Sequence, residues 1–311
     1  MALTYLCLVL IQFCYAIPLV VSQVALEQIP FLLFTEISFI AAFVFLLPLA
    51  MMKEKVKWTK IGKKNYGKLF VKGLLINVLL NVFLLLGISH TSATATGIIN
   101  SSAPAVILIL SFFFLQERIK SLSFLAIILA VAGVAIQSFI SLGDSPNSSL
   151  LGDLYVFLAV LTQAFFLIFS KKFAADVPPI TTATIVMLVG AILFLPLGIM
   201  DGYKFDWGSV STSNWVIDII YGVAGNALPI LLYFFVIKKV PATMIGIFGG
   251  LLPIIITVTA VLALGEPFTV TLIVSLCCVV LSVLLGVLAE KNSNKSDAIV
   301  HENYADTKIS S

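Results

Sequence analysis

Long apolar stretches alternate with short polar ones along this chain, and the apolar runs have the length of membrane-crossing helices. They fall at about 3–24, 31–51, 69–89, 92–115 and 121–141, then at about 152–171, 180–200, 214–237, 242–264 and 268–289. An α-helix needs roughly 20 apolar residues to cross a bilayer, so the pattern predicts ten spans. Two polar links stand out, 142–151 with Gly, Asp, Pro, Asn and Ser, and 201–213. The first apolar run exceeds the roughly 7 to 15 residues of a signal-peptide core, so it is expected to remain as a span. The polar tail 290–311 is expected to be disordered.

Composition turns this pattern into a class. Of 311 residues, 60% are hydrophobic and 11% are charged, against about 25% charged in an ordinary soluble domain. Such a surface suits lipid, and no length is left over for a soluble domain. Charge then gives sidedness. With the N-terminus in the cytoplasm, the inside segments receive 17 of the 18 Lys and Arg residues, and only Lys204 lies outside. That alternation predicts both termini on the cytoplasmic side.

Several candidate chemistries fall away. Gly62-Lys-Lys-Asn-Tyr-Gly67-Lys68-Leu69 approaches a nucleotide-binding loop, but Leu69 stands where a Mg²⁺-binding hydroxyl is needed and no strand precedes it. Cys7, Cys14, Cys277 and Cys278 lack metal-site spacing, as do His90 and His301. No metal or other cofactor, no nucleic-acid partner and no enzymatic dyad is expected.

An internal repeat carries the functional reading. Ala93-Thr94-x-x-Gly97-Ile98, followed by Pro104 and Glu117, recurs as Ala242-Thr243-x-x-Gly246-Ile247, followed by Pro253 and Glu266. Each pair is 149 residues apart, as are Gly73 and Gly222, and Asn77 and Asn226. The unit holds five spans, an odd number, so its second copy is expected to cross the membrane in the opposite sense. Two inverted halves around one midplane site are a common carrier plan.

These paired motifs, with Leu151-Gly152-Asp153 and Leu264-Gly265-Glu266-Pro267, resemble the EamA-type carriers of the drug/metabolite transporter superfamily. The resemblance covers roughly residues 1 to 290. It implies an all-α polytopic membrane protein of ten transmembrane helices, divided into one EamA-like repeat at 1–141, a loop at 142–151, a second repeat at 152–289 and a tail at 290–311. It also implies a cavity lined mainly by helices one, three, four, six, eight and nine. The chain departs from the family in carrying Glu36 where span two commonly has a basic residue, and in lacking an early Trp in span six, at Leu161-Thr162-Gln163.

Polar residues inside the spans are the candidates for substrate contact or for helix stapling. They are Gln12 and Tyr15 in span one, Asn77, Asn81 and Asn100 in spans three and four, Thr162 and Gln163 in span six, and Asn226 and Tyr233 in span eight. Ser101 and Ser102 are expected to be structural. Pro104 and Pro253 each remove a backbone donor and are candidate hinges. Glu117 and Glu266 end their helices, where a carboxylate opposes the macrodipole, so each is expected to meet the other half as a gate contact. Glu36, read as the only carboxylate well inside a span, is the candidate proton site.

The expectation is therefore a secondary active transporter, an exporter by resemblance, of a small organic metabolite, amino acid or drug-like solute by alternating access in the plasma membrane, or the inner membrane of a bacterium. Protons or a counter-substrate would drive it, the bilayer would surround it, and a homodimer is open to it. One alternative is an antiporter of nucleotide-linked or phosphorylated metabolites in an internal membrane, which would need Lys171 or Lys238 to face the cavity. The other is a non-transporting membrane receptor.

Overall fold

The structure is a computed structural model. It describes residues 2–55, 58, 61–91, 93–117, 121–140, 149–174, 176–264, 270 and 273–289. Among them there is no strand.

The helices are α1 (Ala2–Leu26), α2 (Phe31–Leu49), α3 (Lys63–Gly73), α4 (Leu80–Ile88), α5 (Ala93–Ser101), α6 (Ala103–Leu110) and α7 (Ser121–Ile140). They continue with α8 (Leu150–Lys172), α9 (Pro179–Gly202), α10 (Thr212–Ile220), α11 (Leu228–Val236), α12 (Ala242–Gly249), α13 (Leu251–Leu264) and α14 (Ile273–Ala289). Seven helical runs are long and apolar enough to cross a membrane, joined by the shorter apolar helices Ile99–Leu115, Ser121–Gly133 and Ile273–Ala289. Apolar side chains also cover the outside, among them Leu3, Val44, Phe113, Met200 and Leu262. A water-soluble surface does not present apolar groups on this scale, whereas a lipid-facing one does.

Several runs are not plain α-helix. Turns of π-helix extend α2 (Ala50–Glu54) and α6 (Ser111–Leu115), join α3 to α4 (Leu74–Leu79), and join α10 to α11 (Tyr221–Ala227). A π turn accommodates one extra residue and rotates the next stretch of helix about its axis. The two joining turns begin at or beside Gly73 and Gly222, the glycines 149 residues apart in sequence.

Packing pairs one part of the chain with the other reciprocally. α1 lies against α11 and α13, while α8 lies against α4 and α6. α2 packs along α9; α2 also meets the π turn before α11, and α9 meets the π turn before α4. The main core runs through these contacts, from Leu8, Ile11 and Phe39 to Phe166, Met187, Phe194 and Phe248.

Close backbone approach explains the paired glycines. A Cβ on Gly222 would sit 2.5 Å from the Ser38 carbonyl oxygen, and one on Gly73 would sit 2.7 Å from Val189. Each glycine lets a helix of one part lie directly on α2 or α9 of the other. Asn226 then donates to Ser38 Oγ at 3.0 Å, and Asn77 donates to the Val186 carbonyl at 2.8 Å. Small residue and amide act together, as in membrane helix pairs generally.

The Lys-rich segment is helical from Lys63, some residues before the apolar run begins, because Gly62 is extended and lets the helix start there. Likewise α8 begins at Leu150, where Ser149 accepts from the Gly152 amide at 3.1 Å as an N-cap.

Gly222→Ala is expected to destabilise the fold by about 1 to 3 kcal/mol through overpacking against a rigid carbonyl. Gly67→Ala, whose Cβ meets nothing within 4 Å, should leave stability equal or slightly raised. Thermal melts of the two purified variants check this.

Candidate functional site

Glu117 joins two parts of the chain at the ends of their helices. It follows Gln116, a left-handed residue (φ 56°) that ends the π turn of Ser111–Leu115. From there its Oε1 accepts from Lys171 Nζ at 2.8 Å and from the Ala242 amide at 2.8 Å. Its Oε2 accepts from the Thr243 amide at 3.3 Å and from the Thr243 hydroxyl at 3.0 Å. Lys171 also donates to the Val240 carbonyl at 2.6 Å. The carboxylate that opposes its own helix dipole thus sits on the positive N-terminus of α12. Burial raises the proton affinity of Glu117, but Lys171 and the two amides outweigh it and hold the group below the ordinary carboxylate range. The Ala-Thr pair and the Glu of the repeated motif are therefore complementary parts here, met across the repeat.

The same device recurs at residues that the repeat spacing does not single out. Glu54 ends the π turn that extends α2, beside left-handed Lys55 (φ 49°). Its oxygens accept from the Ile180 amide (2.9 Å), the Thr181 amide (2.7 Å) and the Thr181 hydroxyl (2.7 Å) at the start of α9. Reciprocally, Asp201 at the end of α9 accepts from the Leu32 amide at the start of α2, at 3.1 Å. Glu54 and Asp201 are 147 residues apart rather than 149, which hides them from the repeat arithmetic. Asp153 accepts from the Thr91 hydroxyl.

Between these ends lies an aromatic and polar centre. Tyr233 on α11 is buried and stacks on Phe166 of α8, with ring centroids 5.2 Å apart. Its hydroxyl is buried without a hydrogen-bond partner among the described residues, as is that of Ser170, and Tyr15 of α1 is close by. Gln12, one turn before Tyr15, is also buried. The other candidates are placed differently. Asn77 and Asn226 are engaged between helices, and Asn81 donates to the Asn77 carbonyl at 2.9 Å. Thr162 donates to Leu158 of its own helix at 2.7 Å. Gln163 and Asn100 are exposed.

The helix breaks fall just before the two prolines, at Ser102 for Pro104 and at Gly250 for Pro253. Ser102 turns its hydroxyl back to the Ile99 carbonyl at 2.6 Å. Glu266 lies outside the described residues.

Two charge assignments require correction. Glu36 is not the only carboxylate inside a span: Asp218 in α10 is fully buried, while Glu36 is 4% exposed. Neither acid has a hydrogen-bond partner among the described residues. The sequence signal for Asp218 was present, an acid set between Ile217 and Ile219 with Trp215 a turn before. Lys72, one of the 17 basic residues placed on the inside by the charge pattern, is instead 2% exposed and lies with its ammonium 5.5 Å from the Phe234 ring. Among the described residues no cluster of His, Cys, Asp and Glu could hold a metal ion.

The model of the EamA-like transporter family matches this chain twice, at residues 2–139 and 150–288. The chain belongs to the EamA-like transporter family. It is similar to YetK, an uncharacterized transporter of Bacillus subtilis (strain 168), with 30% identity over 274 residues covering 88% of this chain and 83% of YetK. It is also similar to the WAT1-related protein At1g01070 of Arabidopsis thaliana, with 28% identity over 257 residues covering 71% and 69% of the two chains. One protein crystal structure superposes with a TM-score of 0.79 at 16% identity, covering 94% of this chain and 99% of the other; that likeness bears on the fold alone. The resemblance read from the paired motifs is thus borne out, and this EamA-like chain is a multi-pass integral membrane transporter rather than an enzyme, of the plasma or inner membrane.

Because the native Glu117 carboxyl is held below its unfolded value of about 4.3, the clamp stabilises the fold fully above that value. The stabilisation is lost as pH falls through the depressed native value. Glu117→Gln should therefore cost about 1 to 3 kcal/mol at neutral pH. The difference from wild type should shrink towards acid, as read by thermal melts from neutral to acid pH. A difference that stays constant into strong acid would mean that the carboxylate charge is not what stabilises.

Proposed function

We propose that this chain is a secondary carrier of a small organic solute, working by alternating access between two inverted five-helix halves, with both termini in the cytoplasm. The observation that carries the reading is the reciprocal packing of the halves, α1 on α11 and α13, and α8 on α4 and α6. Such an arrangement gives two near-equivalent ways to close one central site, which is what alternating access requires.

The substrate site in this reading is the centre formed by Gln12, Tyr15 and Tyr233 against Phe166. Amide, hydroxyls and aromatic faces suit a neutral, zwitterionic or amphipathic solute. Asn77 and Asn226 serve as staples that keep α3–α4 on α9 and α10–α11 on α2. Asn81, Asn100, Thr162 and Gln163 take lesser parts, since each is either exposed or engaged close by in the chain.

Glu117, Lys171 and the start of α12 act as the gate on the basic face, and the breaks before Pro104 and Pro253 are the flexing points. Opening the gate exposes amides and charges together to water, so it can open only towards an aqueous side. Glu36 and Asp218 are the proton sites. Each is a carboxyl without a hydrogen-bond partner among the described residues, and Asp218 lies beside Tyr221, one turn on.

The reading is tested by reconstitution in liposomes and a metabolite uptake and export screen. Once a solute is found, a Gln12→Ala/Tyr233→Phe pair is expected to reduce its flux at least tenfold with the melting temperature held, whereas Asn77→Ala/Asn226→Ala is expected to lower the melting temperature. Full flux in the first pair removes the central-site assignment. For coupling, Glu36→Gln and Asp218→Asn are each expected to flatten the pH dependence of transport; an unaltered pH profile in both eliminates the proton sites.

A further inference from the structure

One cavity on the basic face is lined by positive charge; it borders the proposed transport centre at Ser170 and Phe234 but includes none of Gln12, Tyr15, Phe166 or Tyr233. It has a volume of about 230 Å³, and its lining includes Lys72, Lys238, Lys239, Ser170, Thr182 and Phe234. Lys72 comes from α3, whereas the other five belong to α8, α9 and the end of α11 with the turn after it, so the cavity lies between the halves. No carboxylate is among its lining residues. Glu54, which meets Ile180 and Thr181 beside it, has both oxygens engaged there.

The decisive group is Lys72. Its side chain is almost wholly buried, and among the described residues no acid pairs with it. The face of Phe234 offers a cation–π contact at 5.5 Å, worth about 0.5 to 2 kcal/mol. That offsets only part of the several kcal/mol needed to remove an ammonium from water. Lys238 and Lys68 add further positive charge close by, and Lys68 is held at the Ala174 carbonyl, also on the cavity wall, at 3.1 Å. Lys72, Lys238 and Lys239 line one hollow with no counter-ion among the described residues, a deficit that a bound anion would fill.

We propose that this cavity is an anion site that takes a phosphate group, with Lys72 at its floor and Lys238 and Lys239 at its rim. Lysine binds phosphate as a point charge, and exposed Lys238 and Lys239 can move to meet it. At ~30 Å³ per water, the hollow holds several waters, which suits a phosphate head. The phosphate arrives either on a small soluble ester or on a lipid headgroup, since the basic face is where anionic headgroups gather. The assignment does not depend on which solute the carrier moves.

The test uses the full chain in phosphatidylcholine nanodiscs at constant ionic strength. Inorganic phosphate is titrated in one arm, and phosphatidic acid replaces part of the lipid in the other, with thermal melting as the readout. Saturable stabilisation in the first arm identifies a soluble phosphate. Stabilisation in the second arm alone identifies a headgroup. In either case Lys72→Met should weaken the response at least tenfold, and should itself raise the melting temperature when no phosphate is present, because it removes an unpaired buried charge. Lys238→Met/Lys239→Met, at exposed positions, gives a second variant that folds independently of the buried site and should weaken the response likewise. No stabilisation in either arm, or the same response in both variants as in wild type, overturns the proposal.

Discussion

A helix in lipid cannot leave the amides of its first turn to water once that turn is covered by protein, and this chain meets the demand with acids drawn from distant helices. Glu117 covers the first amides of α12, Glu54 those of α9, and Asp201 that of Leu32 at the start of α2. Every one of these acids stands at the far end of its own helix, where its charge is locally unfavourable. The arrangement is stable only as a set, because each unfavourable end is neutralised by the favourable end of another helix. Closeness of the helices in turn requires the glycine contacts, so packing and electrostatics are one constraint in two forms.

The same constraint gives the molecule its two faces. Lys68, Lys171, Glu54 and Glu117 bind at one end of the bundle, while Gln28, His90, Asp201 and Ser149 make their links at the other. Between those ends the described side chains are mainly apolar, and most of the polar ones bond within their own helix or to an adjoining one; the hydroxyls of Ser170, Tyr233 and Ser275 do not. Among the charged side chains, Glu36, Asp218 and Lys72 lack a partner of opposite charge among the described residues. In a medium where charge without a partner is costly, such exceptions are where the proposed proton and anion sites lie.

Much of this was legible in the residues. The apolar runs are so long that period and length together fixed the helical class, and the 149-residue offset of Ala93, Gly97, Pro104 and Glu117 from their counterparts exposed the repeat. That offset failed for Glu54 and Asp201 because the two copies drift by two residues there, and identity counting tolerates no drift. Asp218 and Lys72 are not legible for a different reason. Each lies within a few residues of the predicted span edge, and sequence alone does not say whether such a side chain turns to water or to a neighbouring helix. The spacing pairs Asn77 with Asn226, but it does not reveal their partners, the Val186 carbonyl and the Ser38 hydroxyl.

The crossed carboxylates also impose an order on biosynthesis. Glu54 and Glu117 emerge from the ribosome long before residues 180–181 and 242–243 exist to receive them, and the amide of Leu32 waits for Asp201. The early helices can enter the bilayer one by one, but they cannot reach their final arrangement until the later ones have entered too. A nascent chain halted midway is thus a row of inserted helices with unmet charges at its edges, recognisable as unfinished to any quality-control system that senses polar groups at a membrane surface.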